Sequence, residues 1–253
     1  MSFENYIKSL HPSAFQSKLR NITETSDKSS PKIVNYNSAQ WKLLFPSIDN
    51  DKYKKLKMTD IGIYSIAKPH FTTSLVLFIE HELLTYGLSE SELKNITVTE
   101  THGGVGGFSL GLIKQFNNLN IAEINKIHAD VIKNNLEVYG YDKTKNKIIT
   151  IYNENYLNIF DKLEQDVIIC DPPWGGKVYA KEKQMKLWIS NIDLTYIINY
   201  LNANKKFKLF IFLAPFNFDF NSFLKNVKAS EIKIAKVGKQ NFVCVQSIEK
   251  YKY

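Results

Sequence analysis

The residues able to do chemistry gather in two places. The first is Asp171-Pro172-Pro173-Trp174-Gly175-Gly176, delivered by the apolar run Val167–Cys170. Two prolines after an acid hold the backbone extended, so the Asp171 carboxylate and the carbonyls near Pro172 become fixed acceptors. Fixed acceptors suit a planar NH2 group. The exocyclic amine of a nucleobase is a poor nucleophile because its lone pair is conjugated with the ring. Holding both hydrogens aims that lone pair at an electrophilic methyl and permits in-line transfer. Trp174 offers a face for the base to stack on; a buried Trp in a tight turn is the plainer alternative. Asp171, Pro172 and Trp174 are the catalytic candidates.

The second place is the glycine turn at 103, 104, 106 and 107, set between Glu100 and Glu123. It follows a strand pattern and precedes a helical one, as where backbone approaches a nucleotide at the carboxyl edge of a sheet. Gly104-Val105-Gly106-Gly107 is tighter than the dinucleotide spacing G-x-G-x-x-G, and glycine turns without a ligand are common. Glu123, closing the next strand, adds weight because an acceptor-only carboxylate takes two ribose hydroxyls. Glu100 closes the first strand and can face the amino group of a bound amino acid, which a dinucleotide lacks and S-adenosylmethionine has. Thr101, Gly104 and Gly106 join these acids as cofactor candidates, and Asp171 is counted with them as well as among the catalytic ones. His102 reads as a turn residue. The proton released by a methylated amine can pass to Asp171 or water without a dedicated histidine.

Positioning these groups requires strands that end together. "NITVTE", "NLNIAEIN", "NKIITIYN", "QDVIICD" and "KFKLFIFLAPF" read as strands, and the tail from Ile232 to Ser247 gives two more as a hairpin. Helical patterns fall between them: Leu75, Phe78, Ile79 and Leu83 recur at helical spacing behind a Thr72 or Thr73 cap, "FSLGLIKQFN" follows the glycines, and "KIHADVIKNNLEVYGY" closes at Gly140. Such alternation predicts an α/β fold: a mostly parallel, Rossmann-like seven-stranded sheet with helices on both faces and an antiparallel final strand. Residues 1–60 read as an N-terminal arm and pocket extension, with a polar connector at 21–32 and an aromatic- and lysine-bearing, loop-rich stretch at 36–58. Residues 61–253 read as the catalytic domain.

Lys and Arg number 33 against 25 Asp and Glu, a net charge of +8 that favours a polyanionic partner such as RNA or DNA. A Lys- and Asn-rich coding bias is the rival explanation. Two cysteines far apart exclude a disulfide framework and a structural zinc site, so no metal is expected. No apolar run approaches the ~20 residues of a membrane span, which predicts a soluble intracellular protein, nuclear or cytoplasmic, without a membrane partner.

"ETHGGVGGFS", "KNNLEVYGY" and "DVIICDPPWGGKVY" resemble, in order and spacing, blocks of the trimethylguanosine synthases, the hypermethylases of 7-methylguanosine RNA caps. "AQWKLLFPSID" and "GIYSIAKP" resemble two further blocks more weakly. The resemblance implies a class I S-adenosylmethionine-dependent methyltransferase that methylates N2 of 7-methylguanosine, a monomer acting on capped RNA. It sets Glu100 on the family's first-strand acid, Glu123 on its ribose acid, Trp174 on the Trp that stacks on the methylated base, and Ser65 near that base. Asn153 or Glu154 falls where the family contacts the cofactor adenine. Tyr64, like Trp41 and Trp188, is an aromatic near substrate surfaces, weighed against packing. Phe216-Asn217 stands where the family has Arg-Asn, so Lys42, Lys68 or Lys177 would have to reach phosphate. Asn125 replaces a second acid after Glu123. Asp171 replaces a Ser and is the form found before Pro-Pro-Trp in adenine-N6 methyltransferases, which keeps adenine as an alternative target. An inactive cap- or RNA-binding subunit is the other alternative.

Overall fold

The computed structural model describes residues 1–15, 30–238 and 240–248. Its main sheet comprises β1 (Thr97–Glu100), β2 (Asn118–Ala122), β3 (Ile148–Tyr152), β4 (Val167–Cys170), β5 (Leu209–Ala214), β6 (Glu231–Val237) and β7 (Gln240–Gln246). The seven strands run in the order β3-β2-β1-β4-β5-β7-β6. β1 pairs in parallel with β2 and β4, and β2 with β3, whereas β7 is antiparallel to both β5 and β6. This is the expected mostly parallel sheet with an antiparallel final strand. β4 and β5 are buried at every position, as central strands covered on both faces must be.

The chain divides into two compact units, residues 30–169 and residues 1–29 with 170–253. In the first, α1 (Pro69–Tyr86) starts earlier than the Thr72/Thr73 cap predicted, with Lys68 at the N-cap. Pro69 explains the shift: its fixed φ suits the first helical position, where the missing N–H has no partner anyway. Thr72 lies inside the helix instead, buried, its hydroxyl near the carbonyls of Lys68 and Gly107. Gly87 closes the helix at φ 115°. α2 (Gly107–Gln115) and α3 (Lys126–Val138) follow β1 and β2.

The stretch at 36–58 is more ordered than its composition suggested. Asn37 caps a helix over Ser38–Leu44 by accepting from the Gln40 N–H at 3.1 Å. Trp41, Phe45, Tyr53, Leu56 and Met58 are all buried. Ile33 bridges to Thr59, and the Lys32 N–H reaches Asp60 Oδ1 at 2.9 Å. Of the proposed connector, residues 21–29 lie outside the described residues.

In the second unit the helix Phe3–Lys8 packs through Phe3 on Tyr200, with ring centroids 4.8 Å apart, and Tyr6 donates to the Tyr196 carbonyl at 3.1 Å. α4 (Leu194–Ala203), capped by Asp193, went unassigned in the sequence; Thr195, Asn199 and Asn202 recur along it at helical spacing, yet they are buried, so this polar stripe faces the protein and not solvent. Its buried amides are satisfied across the fold. Asn199 pairs with Asn226 O and the Lys228 N–H, and Asn202 with Lys228 O and the Ile248 N–H. Among the described residues no helix is long and apolar enough to cross a membrane.

One glycine makes the fold testable. A Cβ on Gly107 would lie 2.7 Å from both the backbone N and O of Ala67, neither of which can rotate away. Gly107→Ala should cost roughly 1–3 kcal/mol, the usual range for overpacking, read as a lowered urea midpoint with an unchanged m-value.

Candidate active site

In the unit spanning 30–169, the carboxyl edge of β1 and β2 carries the acids and the glycine turn. Glu100, the last residue of β1, is 2% exposed, and its carboxylate accepts from the Ser109 hydroxyl in the first turn of α2. Ser109 was not singled out in the sequence; its place two residues after the last glycine of the turn is the only signal that could have marked it. Thr101 is buried, donates its N–H to Ile169 O at 2.9 Å, and pairs through its hydroxyl with His102 Nδ1 at 2.7 Å. Burial lowers the His102 pKa to about 4, so the ring is neutral at physiological pH, in keeping with a turn residue.

The turn has to be glycine at more than one position. Gly104 (φ 55°) and Gly106 (φ 90°) occupy the left-handed region, and a Cβ at Gly103 would lie 2.6 Å from Ile121 Cγ2. Three of the turn's backbone N–H groups are paired within the protein, those of Gly103 and Gly106 with the carbonyls of Ala122 and Gly103. The third, that of Gly104, donates to Glu123 Oε2 at 2.7 Å, and the Asn125 N–H donates to Oε1 at 2.8 Å. Glu123 is therefore held rigidly just past β2, 8% exposed, with lone pairs left on each oxygen. Burial raises its pKa, and the two N–H donors pull it back down. His128 Nδ1 stands 3.9 Å from the same carboxylate, its own pKa lowered by burial.

Asn125, in place of a second acid, caps α3 by accepting from the Ile127 and His128 N–H groups. The two residues left open at the third strand now differ in kind. Asn153 donates to the carbonyls of Glu123 (2.9 Å) and Ile124 (3.0 Å), which places its side chain at the Glu123 end of β2. Glu154 accepts from the Asn155 N–H and the Asn158 amide, serving the start of the next helix. Ser65 and Tyr64 sit on the short helix Gly62–Ser65 and are exposed, Tyr64 at 90%, so Tyr64 is not a packing residue. Trp41 is one: it is 1% exposed and its indole donates to Leu56 O.

In the other unit, Asp171 follows β4 directly. It is partly buried, and desolvation raises its pKa to about 7, poised between acid and carboxylate. Pro172 is buried and Pro173 exposed. Trp174 is half-buried, edge-on to Tyr179 at 5.1 Å, and Tyr179 in turn lies 6.3 Å from the exposed ring of Phe216. Gly175 (φ 88°) and Gly176 (φ 66°) then turn the chain sharply. Asn217 ties this aromatic group together by donating to the carbonyls of Tyr179 (2.8 Å) and Glu182 (2.7 Å). Among the described residues, Trp174 Nε1 and Asn217 Oδ1 are buried side-chain polar atoms without a hydrogen-bond partner. Such groups cost about 1–3 kcal/mol each until something pairs with them. Tyr179 and Asn217 belong to this group although neither was a site candidate. The sequence signals that could have marked them are the place of Tyr179 at the end of the DVIICDPPWGGKVY block and that of Asn217 on the Asn of the resembling family's Arg-Asn pair. The Lys177 side chain lies outside the described residues. Among the described residues no cluster of potential metal ligands occurs.

Residues 96–250, more than half of the chain, match the family model described as RNA cap guanine-N2 methyltransferase. An uncharacterized protein of Acanthamoeba polyphaga mimivirus is 26% identical over 221 residues, 81% of this chain and 84% of that protein. Among solved structures, the N-terminal domain of human METTL16 in complex with SAH has a TM-score of 0.52 at 10% identity, covering 75% of each chain. A Thermus thermophilus 16S rRNA N2 methyltransferase in complex with AdoMet and guanosine has a TM-score of 0.51 at 14% identity, covering 73% of this chain and 44% of that one. At these identities the two structures bear on the fold, which is that of the class I methyltransferases. By its match over residues 96–250, the chain belongs to the RNA cap guanine-N2 methyltransferase family, and it is a methyltransferase that uses S-adenosylmethionine.

Proposed function

We propose that the protein transfers a methyl group from S-adenosylmethionine to the exocyclic N2 of 7-methylguanosine in RNA caps, with capped RNA as its partner. The observation that carries this reading is Trp174. Its half-buried indole follows a rigid Asp-Pro-Pro segment and sits in a group with Tyr179 and Phe216, with its N–H unpaired among the described residues. A 7-methylguanine is cationic, and a cation over an indole face gains roughly 1–2 kcal/mol more than a neutral base.

The cofactor residues fit their ligand. Glu123 is a fixed, buried acceptor beside a turn with no side chains at Gly104 and Gly106, so a ribose can approach the backbone closely. Asn153, hydrogen-bonded at the Glu123 end of β2, is better placed for the adenine side than Glu154. Glu100 keeps a carboxylate at the end of β1 for the amino group. When bound, S-adenosylmethionine supplies an electrophilic methyl on a sulfonium.

The chain's own residues supply orientation. Asp171 and the carbonyls around Pro172 accept the two hydrogens of the amine and align its lone pair, and Trp174 fixes the plane of the base. After transfer, the ionised Asp171 carboxyl or water takes the released proton. Because burial holds the Asp171 pKa at about 7, the acceptor form fills as the pH rises through neutrality. Below that range the protonated acid must donate where it should accept. kcat/KM should therefore climb through about pH 7 and level off above it, and Asp171→Asn should abolish that limb and lower kcat by roughly 10²–10³-fold. An unchanged acid limb in the variant would remove Asp171 from this role.

The experiment that tests the reading is transfer from labelled S-adenosylmethionine to 7-methyl-GTP, GTP and adenine-containing RNA in parallel. Transfer to 7-methyl-GTP and not to GTP is expected. The Asp before Pro-Pro-Trp favours adenine as the second reading, and transfer to adenine alone would establish it. Binding of 7-methyl-GTP without any transfer would leave a cap-binding subunit.

A further inference from the structure

The sequence Lys52-Tyr53-Lys54-Lys55-Leu56-Lys57 reads as an ordinary solvated charge run, yet its backbone is held as few loops are. The carbonyls of Lys55, Leu56 and Lys57 each accept from a different side chain: Asn134 Nδ2 at 3.0 Å, Trp41 Nε1 at 3.3 Å and Asn135 Nδ2 at 3.0 Å. The three N–H groups are also paired, with Lys52 O, Tyr53 O and Asn135 Oδ1. Asn135 is fully buried, and the same amide nitrogen reaches Val105 O in the glycine turn at 3.4 Å. A segment outside helix and sheet thus has every backbone group satisfied and is tied to the cofactor turn.

The side chains divide cleanly. Leu56 and Met58 are buried, at 4% and 0% exposed, while Lys55 and Lys57 are exposed. Lys52 and Lys54 are paired with Asp49 (3.4 Å) and Asp51 (3.7 Å). Lys55 and Lys57 have no acidic partner among the described residues. Two exposed lysines two residues apart on a braced segment can each engage a phosphate of an extended single strand. A fixed backbone lowers the entropy lost when the lysines engage.

We propose that Lys55 and Lys57 form a phosphate track for the backbone of the RNA substrate. The inference rests on the RNA-cap reading above for its choice of polyanion. The net charge of +8 gives the long-range attraction, and this pair gives it a fixed landing place.

The test is binding, by fluorescence anisotropy across a salt series with S-adenosylhomocysteine present, of a capped oligoribonucleotide, its uncapped twin and 7-methyl-GTP. The double variant Lys55→Gln/Lys57→Gln should weaken both oligonucleotides about tenfold and flatten the log Kd against log salt slope by about 1.4, or roughly 0.7 per lost phosphate contact. Binding of 7-methyl-GTP and the melting temperature should not move. Lys52→Gln/Lys54→Gln, which removes the paired lysines, should have a much smaller effect on RNA. An unchanged RNA slope, an equal loss with the paired lysines, or an equal loss on 7-methyl-GTP would overturn the track. A lysine-dependent slope on RNA that gains nothing from the cap would support the track while removing the cap reading.

Discussion

Trp174→Ala is expected to weaken 7-methyl-GTP binding by roughly 100-fold while leaving S-adenosylhomocysteine binding within about twofold of wild type. Base stacking on an aromatic ring contributes ~1–3 kcal/mol and a cation over an indole ~1–2 kcal/mol, about 3 kcal/mol together. Trp174→Phe retains a ring with a weaker face and should fall between the two. Because the Trp174 N–H has no partner among the described residues, its removal orphans none of their hydrogen bonds, and the variant should fold. Isothermal titration with the two ligands separates the cases. An equal loss of both would make Trp174 a structural residue of the turn that Gly175 and Gly176 form.

The opposite selectivity is expected at Glu123. Glu123→Gln should weaken S-adenosylhomocysteine binding by roughly 100-fold, since two hydrogen bonds to a charged acceptor are worth about 1.5–3 kcal/mol each and the amide retains part of one. The substitution acts twice. It removes an acceptor from the ribose, and it sets an NH2 group against the N–H of Gly104 or Asn125, which now share the two carboxylate oxygens. The glycine turn should loosen as a consequence, seen as faster amide hydrogen exchange at Gly104 without ligand. Affinity for 7-methyl-GTP should stay within about twofold. If cofactor binding survives the change, the carboxylate serves to brace the turn and does not hold the ribose.

Much of this site was legible before any coordinates. The alternation of strands and helices, the glycine turn and the Asp-Pro-Pro-Trp block each carry a local signal: a hydrophobic period, a left-handed conformation that favours glycine, or a fixed φ. Helix boundaries were less legible, since α1 starts at a proline that its apolar period does not include, and the polar stripe of α4, Thr195, Asn199 and Asn202, is buried and not solvated. The stretch 36–58 read as loop because its lysines and aromatics alternate without a helical period. Its order comes from the local cap that Asn37 makes on Gln40 and from Trp41, Asn134 and Asn135, whose indole and amide groups meet backbone carbonyls 15, 79 and 78 positions away.

The residue types therefore determined the chemistry on offer: acceptors at Glu100, Glu123 and Asp171, an aromatic face at Trp174, and a turn whose backbone a ligand can approach. What only the tertiary structure decided is how each group is set. The Asp171 pKa of about 7 is a property of its burial, which no local sequence encodes. The division of labour between Asn153 and Glu154 is a matter of which side chain meets the end of a neighbouring strand. The joining of Tyr179 to Asn217 and of Lys57 to Asn135 brings together residues 38 and 78 positions apart. Such pairings depend on strand order and packing, and sequence spacing alone does not carry them.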